Sequence, residues 1–348
     1  MLTPHTNDGK LNYLFSTDNE LCAKFRADGY VILRSAVSEE LVDRIRFEIE
    51  EAFFLPDESA LPNRSVVAPE IGRFQDAWHK CPAVSELAGL PVILSLLREL
   101  YGRDPHPFQT LTFSTPTQQP AHSDHVHFSS IPNGFMCGVW VALEEITSTN
   151  GPLFYFPGSH NLAYMNYQDF HIQKNQHSVE TAYQEYESRF EPFIFDLGYT
   201  KEVFYAQKGD VLIWSANLAH GGSLALDAQS SRWSQVTHYF FDNCVHFTPR
   251  LSDELTGELC LREPIDILSG EPIISLTRVV GNPARLEEDK INEEIVDHLQ
   301  VESTPPEVDQ LQHLRDELAA LRGSRAFKVG NLLALPVRAL RQIFSRGH

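Results

Sequence analysis

Ala121-His122-Ser123-Asp124 lies inside the β-rich part of the chain, and Ala219-His220-Gly221-Gly222 lies well downstream of it. On an extended strand successive side chains alternate faces, so His122 and Asp124 point one way and Ser123 the other. An imidazole nitrogen and a carboxylate oxygen then converge on one point. His220, brought in by a distant strand, completes a facial set of two histidines and one carboxylate. Such a set leaves three adjacent coordination positions open, as a non-haem Fe(II) site needs for holding a cosubstrate and dioxygen. A His-x-Asp tripeptide is common without a metal, so its surroundings have to carry the assignment.

From about residue 107 to 247 the chain runs in short β-rich segments. The clearest are Phe108 to Ser114, Met136 to Leu143, Leu153 to Phe156, Val211 to Trp214 and Gln235 to Phe241. Thr149-Asn150-Gly151-Pro152, Pro157-Gly158-Ser159-His160, Lys208-Gly209-Asp210 and Gly221-Gly222 punctuate them as turns. No regular helices alternate with these strands, which argues against a parallel α/β sheet. The expected fold is mainly β with flanking helices: a double-stranded β-helix, or cupin-like jelly roll, plus a C-terminal helical tail. Ahead of the roll, Asp28-Gly29-Tyr30-Val31-Ile32-Leu33 reads as a turn and a short buried strand. Residues 39 to 54 repeat apolar side chains at helical spacing behind the cap Ser38, and Pro91 to Tyr101 is a second helix stopped by Gly102.

Arg232 follows His220 across a hairpin, at the head of the strand Ser234 to Phe241. An arginine deep in a roll needs an anionic partner, because an unpaired buried charge is costly. An internal salt bridge with Asp242 would serve. So would a dicarboxylate, whose far end can take the guanidinium fork. His127 can share the face of Asp124 and, with its neighbour Phe128, line a substrate pocket. His160 reads as a turn-holding residue and His238 as part of a strand.

A formal net charge of −19 argues against a nucleic-acid partner. Five cysteines without metal-ligand spacing read as reduced thiols, and the polar N-terminus lacks an apolar signal region, so a cytoplasmic location is expected. Residues 161 to 207 form a long insertion with a helical piece near 178 to 190, expected as a lid over the mouth of the roll. A linker at Thr304-Pro305-Pro306 divides a domain at 1–300 from a tail at 301–348. From Leu318 onward there are six basic residues and no acidic ones, which leaves −25 on the rest. That basic amphipathic tail suits docking on an acidic domain, on a partner protein or on an anionic membrane surface.

Taken together, these segments resemble the phytanoyl-CoA dioxygenase family of Fe(II)- and 2-oxoglutarate-dependent oxygenases, from about Asp28 to Phe241. The resemblance is carried by His122-Ser123-Asp124, Trp140-Val141-Ala142-Leu143-Glu144-Glu145 and Asn150-Gly151-Pro152-Leu153 leading into Pro157-Gly158-Ser159-His160. Lys208-Gly209-Asp210, His220 and Arg232 complete it. It implies His122, Asp124 and His220 as iron ligands, Arg232 as the anchor for 2-oxoglutarate, and Trp140 in the cosubstrate site, with O2 as the second cosubstrate. The family often has a serine two residues after the distal histidine. Here that position is Gly222, so either Ser223 substitutes or another donor does.

The resemblance further implies oxidation of a small organic substrate, with release of succinate and CO2. Asp124 favours hydroxylation over halogenation, because related halogenases lack this carboxylate. Acyl thioesters, small osmolytes, secondary metabolites and, from a similarity of the tail to those of bacterial cell-surface polysaccharide enzymes, glycan precursors are the substrate classes in view. The alternative is a non-catalytic jelly-roll protein that binds metal or ligand only.

Overall fold

The computed structural model describes residues 20–54, 72–172, 178–227, 230–253 and 257–274. The linker and tail at 301–348, including the basic segment, lie outside the described residues.

Among the described residues, all strand pairings are antiparallel. The main sheet has six strands, in the spatial order β1 (Tyr30–Leu33), β8 (Val211–Ser215), β5 (Met136–Ala142), β10 (Ser234–Phe241), β3 (Pro105–Phe113) and β2 (Arg73–Gln75). A second sheet of three runs β7 (Glu202–Phe204), β6 (Leu153–Tyr155), β9 (His220–Gly222), and β4 (Ser129–Ile131) pairs with β11 (Val245–Phe247). Neighbours in the sheets are mostly distant in sequence, as in a rolled sandwich rather than a meander. The expected strands are all present within a residue or a few of their anticipated ends.

Two-residue periodicity divides the main sheet into two faces. Val139 and Val141 of β5, Val211 and Ile213 of β8, and Tyr239 and Phe241 of β10 point outward into one apolar cluster. Helices α1 (Glu20–Asp28), α2 (Glu39–Phe53), α3 (Pro82–Ala88) and α4 (Pro91–Tyr101) complete that cluster with Phe25, Val42, Ile45, Ile49, Val84, Leu97 and Leu100. The Ser38 hydroxyl caps α2 by accepting from the Leu41 amide, and Gly102 ends α4 in the left-handed region at φ 64°. The alternate residues of the same strands, Trp140, Ala142, Leu212, Trp214 and Val236, turn inward. They meet Leu153, Tyr155 and Phe204 of the smaller sheet.

The outer side of the smaller sheet is covered in turn. Phe154 and Phe156 join Tyr186, Phe190 and Ile194 of α5 (Val179–Asp196), the helix expected within the long insertion.

Candidate metal centre and cosubstrate cavity

His122 is not in a regular strand. It forms an isolated antiparallel bridge with His220, the first residue of β9. The amide of each histidine donates to the carbonyl of the other, at 2.9 and 3.0 Å. Nor is Asp124 extended: it opens a short 3-10 helix, Asp124–Val126, capped by Ser123. The expected alternation still holds across Ser123, whose hydroxyl turns away to donate to the Ala216 carbonyl at 2.9 Å.

Both imidazoles are fixed through Nδ1. That of His122 lies 3.0 Å from the Pro120 carbonyl, and that of His220 lies 2.9 Å from the Leu218 carbonyl. With Nδ1–H donating to a carbonyl, Nε2 is left as the metal-binding nitrogen. Each Nε2 stands 3.8 Å from Asp124 Oδ1. The three candidate ligand atoms lie within 4.8 Å of one another, and all three residues are buried.

Two further residues complete the surroundings of Asp124, and neither was assigned to the site from sequence. The Trp214 indole donates to Asp124 Oδ2 at 2.7 Å, which leaves Oδ1 facing the histidines. His238 Nε2 lies 3.7 Å from the same Oδ2, and its Nδ1 is 3.1 Å from Gln109 Oε1. Gly138 explains how the indole fits. It pairs with Trp214 on one side and His238 on the other, and a β-carbon there would stand 2.4 Å from the Trp214 ring.

Burial pushes the Asp124 carboxyl up, but His220, His238 and His122 together with the Trp214 hydrogen bond outweigh it and bring the carboxyl down to about 2. Burial, helped by neighbouring histidines, lowers His122 and His238 to about 4. At neutral pH the site therefore offers an anionic Asp124 carboxylate and a neutral His122 imidazole, the protonation that metal ligands require.

Asp124, His122 and His220 share a cavity with Trp140, Trp214, Arg232, His238, Thr117 and Gly222. Arg232 is 1% exposed. Its Nε donates to the Gly151 carbonyl at 3.2 Å and its Nη1 to Ser234 Oγ at 2.8 Å. Its guanidinium lies 5.3 Å from the Trp140 ring centre. Arg232 Nη2 and Trp140 Nε1 are both buried without a hydrogen-bond partner among the described residues. Asp242 does not supply the salt bridge, because His106 Nε2 holds it at 2.8 Å. Burial lowers Arg232 to about 10, against the opposing pull of Glu144.

Glu144 belongs to the Trp140–Glu145 stretch singled out in the sequence, and it acts on the backbone around Arg232. Its carboxylate accepts from the Trp233 amide and the Ser231 hydroxyl, both at 2.8 Å. It thus grips the chain on either side of the arginine. Asp210 of Lys208-Gly209-Asp210 has a purely architectural environment, accepting from Ser35 N, Gln207 N and Arg34.

Ser223 is absent from the residues lining the cavity. Its amide donates to the Pro152 carbonyl at 2.9 Å. His127 and Phe128 also stand beside the cavity rather than in its wall. The His127 ring meets Tyr183 of α5 at 4.6 Å, and Phe128 packs 5.1 Å from the His238 ring. Gln119, in the wall, donates to Tyr183 Oη and Glu187 Oε1, both at 2.9 Å, and so ties α5 to the cavity.

A profile of the phytanoyl-CoA dioxygenase (PhyH) family matches residues 25–231. The chain belongs to this family. It is thus a 2-oxoglutarate-dependent oxygenase. A probable phytanoyl-CoA dioxygenase of Caenorhabditis elegans is 21% identical over 246 residues, covering 64% of this chain and 75% of that protein. A Danio rerio phytanoyl-CoA dioxygenase domain-containing protein 1 is 27% identical over 151 residues, 42% of this chain and 49% of that one. The chain therefore matches about half of the Danio protein's length.

Among solved structures, apo EctD from S. alaskensis superposes with a TM-score of 0.52 at 19% identity, over 69% of this chain and 84% of that one. The non-heme alpha ketoglutarate dependent carbocyclase SnoK superposes with a TM-score of 0.50 at 18% identity, over 78% and 97%. These likenesses establish the fold. The unpartnered donors of Arg232 and Trp140, beside an open histidine–carboxylate triad, fit a dicarboxylic 2-oxo acid.

Proposed function

We propose that this oxygenase hydroxylates an unactivated C–H bond of a small organic molecule, with 2-oxoglutarate consumed to succinate and CO2. The observation that supports it is the open His122–Asp124–His220 triad sharing a cavity with the unpartnered Arg232 Nη2. A structural metal site is ordinarily closed by a fourth protein ligand. When bound, Fe(II) and 2-oxoglutarate supply the oxidising power; the chain supplies binding, orientation and dryness.

In this proposal His122, Asp124 and His220 hold the ferrous ion, and Arg232 takes the far carboxylate over Trp140. Trp214 keeps one oxygen of Asp124 occupied, so the other stays aimed at the ion. The Asp124 carboxylate keeps its coordination position filled, which favours hydroxyl over halide transfer. His127 and Phe128 form the substrate side with α5 as the lid. The substrate is a secondary metabolite, an acyl compound or a cell-surface glycan precursor. No helix among the described residues is long and apolar enough to cross a membrane. Work in the cytoplasm, with the basic tail contacting a membrane surface or a protein, completes the proposal.

The test is succinate formation from 2-oxoglutarate with added Fe(II) and ascorbate, in wild type and Asp124→Ala. Slow substrate-free turnover in wild type, reduced by at least about 100-fold in the variant, is expected, since losing a metal ligand exceeds the 10–100-fold of losing its support. Wild-type protein that binds 2-oxoglutarate without ever forming succinate would instead indicate a binding protein. Incubation with metabolite pools under labelled O2 should then reveal a mass gain of one labelled oxygen.

A further inference from the structure

The regular pairing of β5 with β10 ends at Ala142 and Ser234, two residues short of Arg232. Past that end the main chain around the arginine is held by other means. The Arg232 amide donates to the Ser114 carbonyl, and the Leu143 amide to the Trp233 carbonyl, each at 3.0 Å. The Trp233 amide donates to Glu144 Oε1 at 2.8 Å, and the Ser231 hydroxyl donates to Glu144 Oε2 at 2.8 Å. One carboxylate therefore brackets the arginine, bonding the residue before it and the residue after it.

Glu144 is braced in its turn from the helical side. Arg46 of α2 lies 3.8 Å from Glu144 Oε2 and 5.1 Å from the Trp233 ring centre. The next glutamate in the sequence has a different environment: Glu145 is exposed and accepts from Gln207 Nε2 at 3.1 Å. The guanidinium of Arg232 travels with its root, and a displacement of about 1 Å, even from a change far from the ligand, can cost about a hundredfold in function.

We propose that Glu144 is a positioning residue for 2-oxoglutarate: by bracketing the main chain at 231 and 233, it sets where the Arg232 guanidinium meets the far carboxylate. This rests on the cosubstrate assignment above. Glu144 acts only through Arg232, so its removal should weaken ligands that reach the arginine and spare those that bind the metal alone.

The experiment is calorimetric titration of the Mn(II)-loaded full chain with 2-oxoglutarate and, separately, with oxalate, which chelates the metal with both carboxylates and has none left for Arg232. E144A should weaken 2-oxoglutarate binding by about 5- to 150-fold, the range for leaving a buried donor unsatisfied, and leave oxalate within about twofold. E144Q should stay within about threefold of wild type, because its amide has the same reach, an oxygen for the Trp233 amide and an NH2 for the Ser231 hydroxyl. E144D, one methylene too short for both partners, should lose at least about threefold, and it decides the matter if E144A does not fold. E145A should match wild type. Wild-type affinity for 2-oxoglutarate in E144A or E144D would overturn the role of Glu144 alone, as would an equal loss for oxalate or an E144Q as weak as E144A. Wild-type protein that binds oxalate but not 2-oxoglutarate would overturn the cosubstrate assignment, and this inference with it.

Discussion

The two faces of the six-stranded sheet are built from the same strands and have opposite characters. Outward, Tyr239, Phe241, Val139, Val141, Val211 and Ile213 interlock with the helices in a cluster of buried apolar residues. Inward, Arg232 just ahead of β10 and Ser234 and His238 within it share one phase; Nη2 of Arg232 and Nε1 of Trp140 have no partner among the described residues, and Trp214 also lines this cavity. One face only packs against the helices, and the other sets buried charge and polar groups among its apolar residues, at a cost to stability. Both can belong to a single strand because a one-residue step crosses the sheet. The lesson is that stability and chemistry in this fold are separable by side, and substitutions should sort accordingly.

The largest effect on the stability side is expected at Leu97, fully buried beneath the sheet. Leu97→Ala should cost about 2–5 kcal/mol in denaturant unfolding, yet leave succinate formation per folded molecule near wild type. Proportionate loss of specific activity would break the separation. On the inner side, Arg232→Met should weaken 2-oxoglutarate binding by about 30- to 5,000-fold, the range for removing one partner of a buried charge pair. Its unfolding midpoint should hold or rise, because an under-paired buried cation has been removed. A variant that simply unfolds would put Arg232 among the structural residues.

Trp214→Phe keeps the ring and deletes the donor to Asp124. It should lower metal affinity by about 10–100-fold, read by competition against a metal-binding dye, with little change in stability. Unchanged affinity would reduce the indole to packing.

The smallest effect is expected at His106, away from the cavity. Its hydrogen bonds to Asp266 and then to Asp242, opposed by partial burial, raise its pKa. The folded protein therefore keeps this proton to higher pH than the unfolded chain does. The associated stability is fully present below about pH 6.5, the unfolded histidine value, and fades as pH rises through the folded value. Urea midpoints between about pH 5.5 and 9 should show this slope in wild type, and His106→Gln should flatten it; an unaltered slope would assign the dependence elsewhere.

Much of this was legible in the sequence. The periodicity of the strands, the Ser38 cap and the proline-started helix at Pro91 follow from local rules, and the structure keeps them. The histidine–aspartate–histidine set was legible because its residue types belong to metal chemistry. What escaped depends on register between strands that are distant in the chain. Gly138 faces Trp214 and His238 only because β5 is paired with both β8 and β10. His238 shares the two-residue phase of Arg232, so alternation carried a signal for it, though pairing alone brings it to Asp124. Ser223 was drawn to the site by its hydroxyl and nearness to His220, whereas the wall at that point is made by Gly222 and Thr117. Residue type told which groups could do chemistry, and the crossovers decided which of them met.

The reciprocal amide–carbonyl pair between His122 and His220 fastens the two imidazoles at their roots. Their separation is therefore set by main chain, and no neighbouring side chain has to be kept for it. Lineages descended from such a protein could remodel the walls for new small molecules, residue by residue, while the clasp that grips the ion kept its span.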